Sequence, residues 1–196
     1  MTTVKVCPHC GSQRVHVRHL SSYHYRESGL DDIWLRGKGV LEATCAECGE
    51  RSVAIRKEQQ LLQVIALGLL QRPGFLTGKE IRYLRETCSL TQAGLALALG
   101  HRRATIADWE REVGSRHDRG SEVYLRAILL ARFKEVLGDP NRNHLPNTQR
   151  RNLESFERRF ANLVEAFTAP RRPAKLSMQR TKRDAWRPVP PGLAAA

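Results

Sequence analysis

The sequence lacks an apolar run long enough to cross a membrane. Its longest apolar stretch is LLQVIALGLL at residues 61–70, which contains Gln63 and has about half of the ~20 residues that a spanning helix needs. Met1 is not followed by the apolar segment of a secretory signal peptide. These two absences predict a cytoplasmic protein without membrane contact.

Acidic residues are also fewer than basic ones. The chain has 20 Asp and Glu against 33 Lys and Arg, which gives a formal net charge of +13. The imbalance is largest in residues 137–196, where 12 basic residues face 5 acidic ones. Apolar residues make up 41% of the chain, as in an ordinary folded protein. The charge therefore favours a polyanion as the partner.

Cysteine is scarce, and four of the five cysteines occur in two matched units, CPHCG at 7–11 and CAECG at 45–49. Thiols stay reduced in the cytoplasm, so a metal explains the pairs better than disulfides do. Zinc prefers four ligands in a tetrahedron and binds thiolates well. The spacing predicts one structural Zn²⁺ as cofactor, with four ligands: Cys7, Cys10, Cys45 and Cys48.

The residues around these pairs are typical of a zinc ribbon. Val15 and Val17 alternate with polar residues as in a half-buried strand, and the same alternation returns in residues 52–56. We therefore predict a ribbon over residues 1–56. Two alternatives are less favoured. The first is a redox CxxC motif, which needs a βαβ context that the sequence lacks. The second is a zinc site in which His9 replaces one of the four cysteines as a ligand.

Helical periodicity dominates the following segment. Residues 57–73 are predicted to form a connector helix, whose apolar stripe either packs on neighbouring helices or forms a dimer seam. Thr77 and Glu80 have the spacing of a capping box at the start of the next helix. Cys88 falls at an apolar position of that helix and is interpreted as a buried core thiol.

Two further short helices follow. Thr91 is placed to cap the first of them, and Gly100 fits the left-handed residue that closes it. Another helix is predicted from about Arg103 to Arg111. Two short helices joined by a tight, glycine-containing turn are typical of a helix-turn-helix. We place this domain at residues 74–137.

The stretch LTQAGLALALGHRRATIADWE resembles the helix-turn-helix of the Xre/Cro family. Together with LTGKEIRYLR before it and the N-terminal cysteine pairs, it resembles MqsA/YgiT-type proteins over about residues 5–135. The resemblance implies an α+β, mainly α fold. A small N-terminal β zinc ribbon would precede an all-α Xre-type helix-turn-helix bundle. The apolar periodicity of residues 148–168, and not the resemblance, adds an extra C-terminal amphipathic helix. Many such proteins are antitoxins that also repress their own operon.

The resemblance also implies which residues meet DNA. In these domains the N-terminal residues of the third helix lie in the major groove. The matching positions in this sequence are Arg102, Arg103, Ala104, Thr105 and Asp108. Gln92 matches a position that contacts the DNA backbone. The alternative interpretation is that Arg102 and Arg103 form only a solvated surface.

Two of these positions depart from the family pattern. Many relatives carry a small polar residue or Asn where Ala104 stands, and often Arg where Asp108 stands. Phosphates would repel the carboxylate of Asp108 unless it accepts from a cytosine amino group or pairs with Arg103 or Arg111. The operator sequence therefore cannot be taken from relatives.

The C-terminal third extends beyond the resemblance. Residues 122–136 are predicted to form the last core helix, and residues 138–168 a linker and an amphipathic helix. This helix docks on the body of the protein or on a dimer partner, and toxin binding is less favoured. The apolar stripes at 61–70 and 153–167 are the candidate dimer seams. Residues 169–196 are basic, rich in proline and expected to be disordered.

These features predict a transcriptional regulator that acts as a repressor. It is expected to bind an operator in double-stranded DNA as a homodimer and to associate with the nucleoid. An enzyme is not expected, because the sequence shows no nucleophile–base pair and no open metal site. The resemblance implies an autorepressing antitoxin with a cognate toxin as protein partner. Two alternatives stay open: a stand-alone repressor of a mobile element without a toxin, and a zinc-ribbon adaptor for protein interactions.

Overall fold

The computed structural model describes residues 6–112, 117–160, 176–181 and 185–189, which form five strands and six α-helices. The α+β class predicted from the sequence is confirmed. The chain divides into two compact units. The sheet unit contains the described residues of 1–25, 32–58 and 175–196, and the helical unit contains those of 26–31 and 59–174.

The sheet unit is built around one long strand. The strands are β1 (Val15–His24), β2 (Ile33–Cys45), β3 (Arg51–Ile55), β4 (Leu176–Arg180) and β5 (Trp186–Val189). Strand β1 pairs antiparallel with β2 along one edge. On the other edge, residues 40–44 of β2 pair antiparallel with β3 and residues 33–36 pair parallel with β4. Strand β5 pairs antiparallel with β4 and extends the sheet.

Strands β4 and β5 overturn part of the prediction for residues 169–196. We expected this segment to be disordered, but residues 176–180 and 186–189 are strands, while the rest lies outside the described residues. Trp186 is 1% exposed, and its Nε1 donates a hydrogen bond of 3.1 Å to the backbone oxygen of Arg56. Composition failed here because few apolar residues are enough when an existing strand edge supplies the backbone hydrogen bonds.

The helical unit contains a short 3-10 turn at Arg26–Ser28 and the six α-helices, except that Glu58, the first residue of α1, belongs to the sheet unit. The helices are α1 (Glu58–Gln71), α2 (Gly78–Thr87), α3 (Gln92–Leu99), α4 (Arg103–Arg111), α5 (Arg119–Gly138) and α6 (Asn147–Arg159). Among the described residues, no helix has the length and apolar character that a membrane crossing needs.

Both candidate dimer seams contribute to the interior of the single chain. Leu61 and Ile65 of α1 are 0% exposed, so the interpretation of residues 61–70 as an exposed seam is wrong. In α6, Leu153 and Phe156 are 6% and 2% exposed, as expected for a helix docked on the body. The part of the second stripe beyond residue 160 lies outside the described residues.

The helix boundaries follow from their capping residues. The capping box predicted for α2 is present: the Thr77 side chain accepts from the Glu80 amide, and the Glu80 side chain accepts from the Thr77 amide. The Thr91 hydroxyl accepts from the amide of Gly94 at the start of α3. Gly100 ends α3 with φ +69°, a left-handed conformation that a residue without Cβ adopts at little cost.

A buried ionic network ties α5 to the end of α1. Glu122 is 0% exposed and accepts from the side chains of Arg126 and His117. Arg126 is 1% exposed and donates to three backbone oxygens, those of Leu69 and Leu70 in the last turn of α1 and that of Gly74 just after it. Buried charges are stable only when paired and hydrogen-bonded in this way. Sequence periodicity missed the network because it detects only apolar residues.

Candidate metal centre and nucleic-acid interface

The four paired cysteines come together at one end of the sheet unit. Their Sγ atoms all lie within 4.8 Å of one another. The Sγ atoms of Cys7 and Cys48 are 3.6 Å apart, as are those of Cys10 and Cys45. A cluster of four thiols at this spacing is a candidate metal site, as the sequence predicts.

The two CxxC turns have the same backbone geometry. The amide of Cys7 donates to the oxygen of Ser12 at 2.8 Å, and the amide of Cys45 donates to the oxygen of Glu50 at 2.9 Å. The glycine that follows each pair has a positive φ, +75° in the first turn and +72° in the second. The first cysteine of each turn is buried and the second is exposed.

Strand pairing brings these two turns to the same place. Val15 at the start of β1 pairs with Cys45 at the end of β2. The amide of Ala46 donates to the backbone oxygen of Arg14 at 2.9 Å. This hydrogen bond connects the second CxxC turn to the residue that precedes β1. The antiparallel pairing therefore brings together candidate metal ligands that lie 35 or more residues apart in the sequence.

The turns also set the protonation of the cluster. A hydrogen bond from the Cys48 amide lowers the pKa of Cys45 to about 7, and the neighbouring thiols assist. The Glu50 amide lowers the pKa of Cys48, but desolvation and the three other sulfurs outweigh it and raise that pKa to about 12. Within this cluster the raised pKa of Cys48 means that its thiol stays protonated at neutral pH unless a cation binds.

Cys88 has none of the features of these four residues. It is 4% exposed, and its Sγ lies 3.5 Å from the backbone oxygen of Leu129. Burial raises the pKa of its thiol to about 12, which disfavours the nucleophilic thiolate. Its position fits the predicted core thiol.

Helices α3 and α4 hold the residues proposed to meet DNA. Arg102, Arg103 and Ala104 are exposed at the start of α4, and Thr105 is half-buried. Arg102 is the N-cap residue and makes no side-chain capping bond. One turn further on, Ile106 is 0% exposed. The first turn of α4 is therefore presented to solvent while the next turn is anchored in the helical unit.

Asp108 has a partner on its own helix. Its Oδ1 accepts a hydrogen bond of 2.7 Å from Nη2 of Arg111, three residues further along α4. Of the two arginines suggested by the sequence as partners, Arg111 is the one that binds it. Both side chains are substantially exposed, so water screens the interaction and its contribution to stability is small.

Gln92 contributes to a hydrogen-bonded network and is only half-exposed. Its Nε2 donates to Oε2 of Glu110 at 2.9 Å. Arg85 binds the same carboxylate through two nitrogens at 2.5 and 3.1 Å, and it also donates to the oxygen of Leu90. The Glu110 hydrogen bond raises the pKa of Arg85. The sequence analysis missed Arg85, whose partner lies 25 residues away.

A cleft of about 320 Å³ opens beside this network, between α2, α3 and α4. It is lined by Arg82, Arg85, Gln92, Ala107, Glu110 and Arg111. Arg85 and Glu110 neutralise each other inside it. The cationic groups of Arg82 and Arg111 lie at its exposed rim, each with a nearby acid as an ion-pair partner.

Comparison of the chain with protein-family models, with curated proteins and with solved structures finds no match. The geometry of the two sites and the composition of the chain are therefore the basis for a functional proposal.

Proposed function

We propose that this protein is a sequence-specific DNA-binding transcriptional regulator, with α3 and α4 as its helix-turn-helix and a zinc-bound ribbon in the sheet unit. The exposed first turn of α4 carries this proposal. Arg102 and Arg103 project from a helix that Ile106 and Glu110 anchor to its unit. A recognition helix needs this combination, because its contacts gain specificity only if the helix is held rigidly.

The chemistry of the first turn suits the major groove. A guanidinium binds O6 and N7 of guanine with two hydrogen bonds, which makes arginine the commonest specific reader of a base. Arg103 is the first residue of α4 and is the proposed reader. Ala104 and Thr105 offer methyl groups for contact with thymine, and Thr105 also offers a hydroxyl.

The network of Arg85, Glu110 and Gln92 supports α4 from behind. Its buried ion pair connects α2 to the last turn of α4, and Gln92 connects the start of α3 to the same carboxylate. Gln92 is half-exposed, so one amide can both hold Glu110 and approach the DNA backbone. This arrangement would fix the angle between α3 and α4.

The metal is proposed to be one structural Zn²⁺ bound by Cys7, Cys10, Cys45 and Cys48. Four thiolates match the preference of zinc and complete its tetrahedral shell. When bound, the ion would neutralise the repulsion between the sulfurs and hold the two turns together. With all four positions taken by protein, no position is open for a substrate or water, and the role is structural.

The first experiment is to select binding sites from a random duplex library and to measure affinity for the selected site. Arg103→Ala should cost roughly 1–3 kcal/mol on that site and relax the preference at one base pair. Arg132→Ala is the matched control, because Arg132 is an exposed arginine on α5 that pairs with Glu135. If Arg103→Ala behaves like this control, α4 is not the reader.

The biological role as an antitoxin that represses its own operon is proposed on the resemblance alone. An antitoxin of this kind would bind two operator half-sites about one DNA turn apart as a homodimer. It would also bind a toxin as its second protein partner. Light scattering of the purified protein tests the dimer. Isolation of the protein from its native host tests the toxin, since an antitoxin should bring one small partner protein with it. A regulator without a toxin would bring none.

A further inference from the structure

A row of polar side chains crosses four strands on one face of the sheet. Ser22 of β1 pairs with Arg36 of β2, Arg36 pairs with Gln179 of β4, and Gln179 pairs with Arg187 of β5. Directly paired residues project from the same face of a sheet. The Nη2 of Arg187 donates to Oε1 of Gln179 at 3.3 Å, consistent with this placement. We call these four residues the arginine row.

The adjacent row on the same face adds an aromatic pair and a hydroxyl. Trp34 lies opposite His24 on one side and opposite Ser177 on the other. The rings of His24 and Trp34 are stacked, with centroids 4.8 Å apart and planes inclined by 6°. Since residues two apart on a strand share a face, Ser177 is a neighbour of Arg36 and of Gln179.

Two polar atoms in these rows are buried without a partner. Within the described ranges, Nε of Arg36 and Oγ of Ser177 are the two buried side-chain atoms that lack a hydrogen bond. Ser177 is 3% exposed. Arg36 also forms no ion pair with any residue that the structure describes. Buried donors are nearly always satisfied in folded proteins, so these two neighbouring atoms have hydrogen-bonding capacity for a bound water or ligand.

The charge around the rows selects an anion. Glu42 is the one acidic residue in the five described strands, and it is already paired with Arg18. Arg36 is half-buried and Arg187 is exposed. The row therefore offers one guanidinium that is partly shielded from water and one that is accessible to solvent. The hydroxyl of Ser177 and the amide of Gln179 add neutral donors between the two charges.

We propose that the arginine row binds phosphodiester groups of duplex DNA, which gives the sheet unit a backbone contact of its own, independent of α4. Guanidinium groups bind phosphate through two parallel hydrogen bonds, and serine and glutamine side chains are common phosphate ligands. The net charge of +13 favours such a polyanion. The inference rests on the proposed function only in taking DNA as the ligand.

The row exists only when the C-terminal strands are in place. Arg36 belongs to β2, but Ser177, Gln179 and Arg187 belong to β4 and β5. A chain without these strands would keep the four cysteines and lose most of the row. The C-terminal hairpin would therefore supply a binding surface as well as an edge for the sheet.

The test uses the full chain and a fluorescent duplex of random sequence, with affinity measured by anisotropy over a range of salt concentrations. The variant is Arg36→Gln with Arg187→Gln. If each guanidinium binds one phosphate, the slope of log affinity against log salt should fall by about 1.8, and affinity at ~0.1 M salt should fall roughly tenfold or more. The base preference set by α4 should not change.

The matched control is Arg14→Gln with Arg18→Gln, which removes the same net charge from the same unit. Arg14 pairs with Glu47 and Arg18 with Glu42, and both arginines are about 70% exposed in their side chains. Their replacement should lower the slope less than the row variant does. If the two double variants behave alike, the arginine row is not a phosphate site.

Two further measurements separate this inference from fold damage and from the proposed function. The double variant Arg36→Lys with Arg187→Lys keeps both positive charges and should restore most of the salt dependence of DNA affinity. If it binds DNA as weakly as the double glutamine variant, the inference is overturned. If the row variant matches its control while Arg103→Ala still loses the selected site, only the row fails. If Arg103→Ala has no effect while the row variant weakens binding, the row stands and α4 is not the reader.

Discussion

Trp186 packs directly over Gly39, in the middle of β2. A Cβ atom at position 39 would lie 2.6 Å from the indole ring and 2.8 Å from the side chain of Arg180. Arg180 and Trp186 both donate to the backbone oxygen of Arg56, and the guanidinium of Arg180 lies 5.6 Å from the centre of the indole. The missing side chain at Gly39 therefore creates the space in which the C-terminal hairpin docks.

We expect Gly39→Ala to displace β4 and β5 from the sheet. The added methyl group must move an indole that is held by a hydrogen bond and by burial, and overpacking of this kind costs roughly 1–3 kcal/mol. Hydrogen exchange should show faster exchange in residues 176–180 and 186–189. Gly138→Ala is the control, since no atom lies within 4 Å of its added Cβ. Unchanged protection in Gly39→Ala would contradict the packing argument.

Zinc removal should unfold the sheet unit more than the helical unit. If the four cysteines bind zinc as proposed, the small sheet should gain much of its stability from the metal, because metal binding and folding are coupled. Cys45→Ser should therefore lower zinc content and strand signal while helical circular dichroism largely persists. Cys88→Ser, at the buried thiol outside the cluster, should keep one zinc per chain. Full zinc affinity in Cys45→Ser would refute the assignment.

Stability should depend on pH through Glu122. Burial tends to raise the pKa of this carboxyl, but the hydrogen bond from His117 and the charge of Arg126 outweigh it and hold the pKa below its usual value of 4.5. A lowered folded-state pKa gives stability that is fully present above about pH 4.5 and is lost as the pH falls through the folded pKa.

Glu122→Gln is the variant that tests this dependence. It leaves Arg126 buried without a counter-charge, which costs about 3–5 kcal/mol at pH 7. The difference in unfolding free energy between wild type and variant should shrink as Glu122 of the wild type becomes protonated. Urea unfolding of both proteins at pH 7 and below pH 4 measures it. A difference that is independent of pH would show that the ionised form of Glu122 is not what stabilises the network.

Asp108→Asn should strengthen binding to DNA of any sequence. The substitution removes a negative charge from α4 and releases Arg111 from its ion pair. The Arg111 guanidinium can then contact a phosphate, which should steepen the slope of log affinity against log salt by up to about 0.9. If Asp108 also accepts from a cytosine amino group, preference at one base pair should fall at the same time. The control is Glu135→Gln, which frees Arg132 on α5 in the same i,i+3 arrangement. An equal gain in both variants would place Asp108 outside the interface.

Local signals in the sequence determined much of this protein. The two CxxCG units predicted the four clustered thiols, because two-residue spacing and a following glycine fix a turn without help from distant residues. Capping at Thr77 and Thr91 and closure at Gly100 set the starts of α2 and α3 and the end of α3 for the same reason. These features depend on neighbouring residues, which a sequence displays directly.

The tertiary structure alone decided the features that join distant residues. The hairpin of β4 and β5 was missed because its stability comes from the edge of β2 and from the space over Gly39. The ion pair of Arg85 with Glu110 and the network around Glu122 were missed because charged residues appear exposed in any pattern based on polarity. Whether a charge is buried and paired depends on what folds over it, and that is a property of the packed chain.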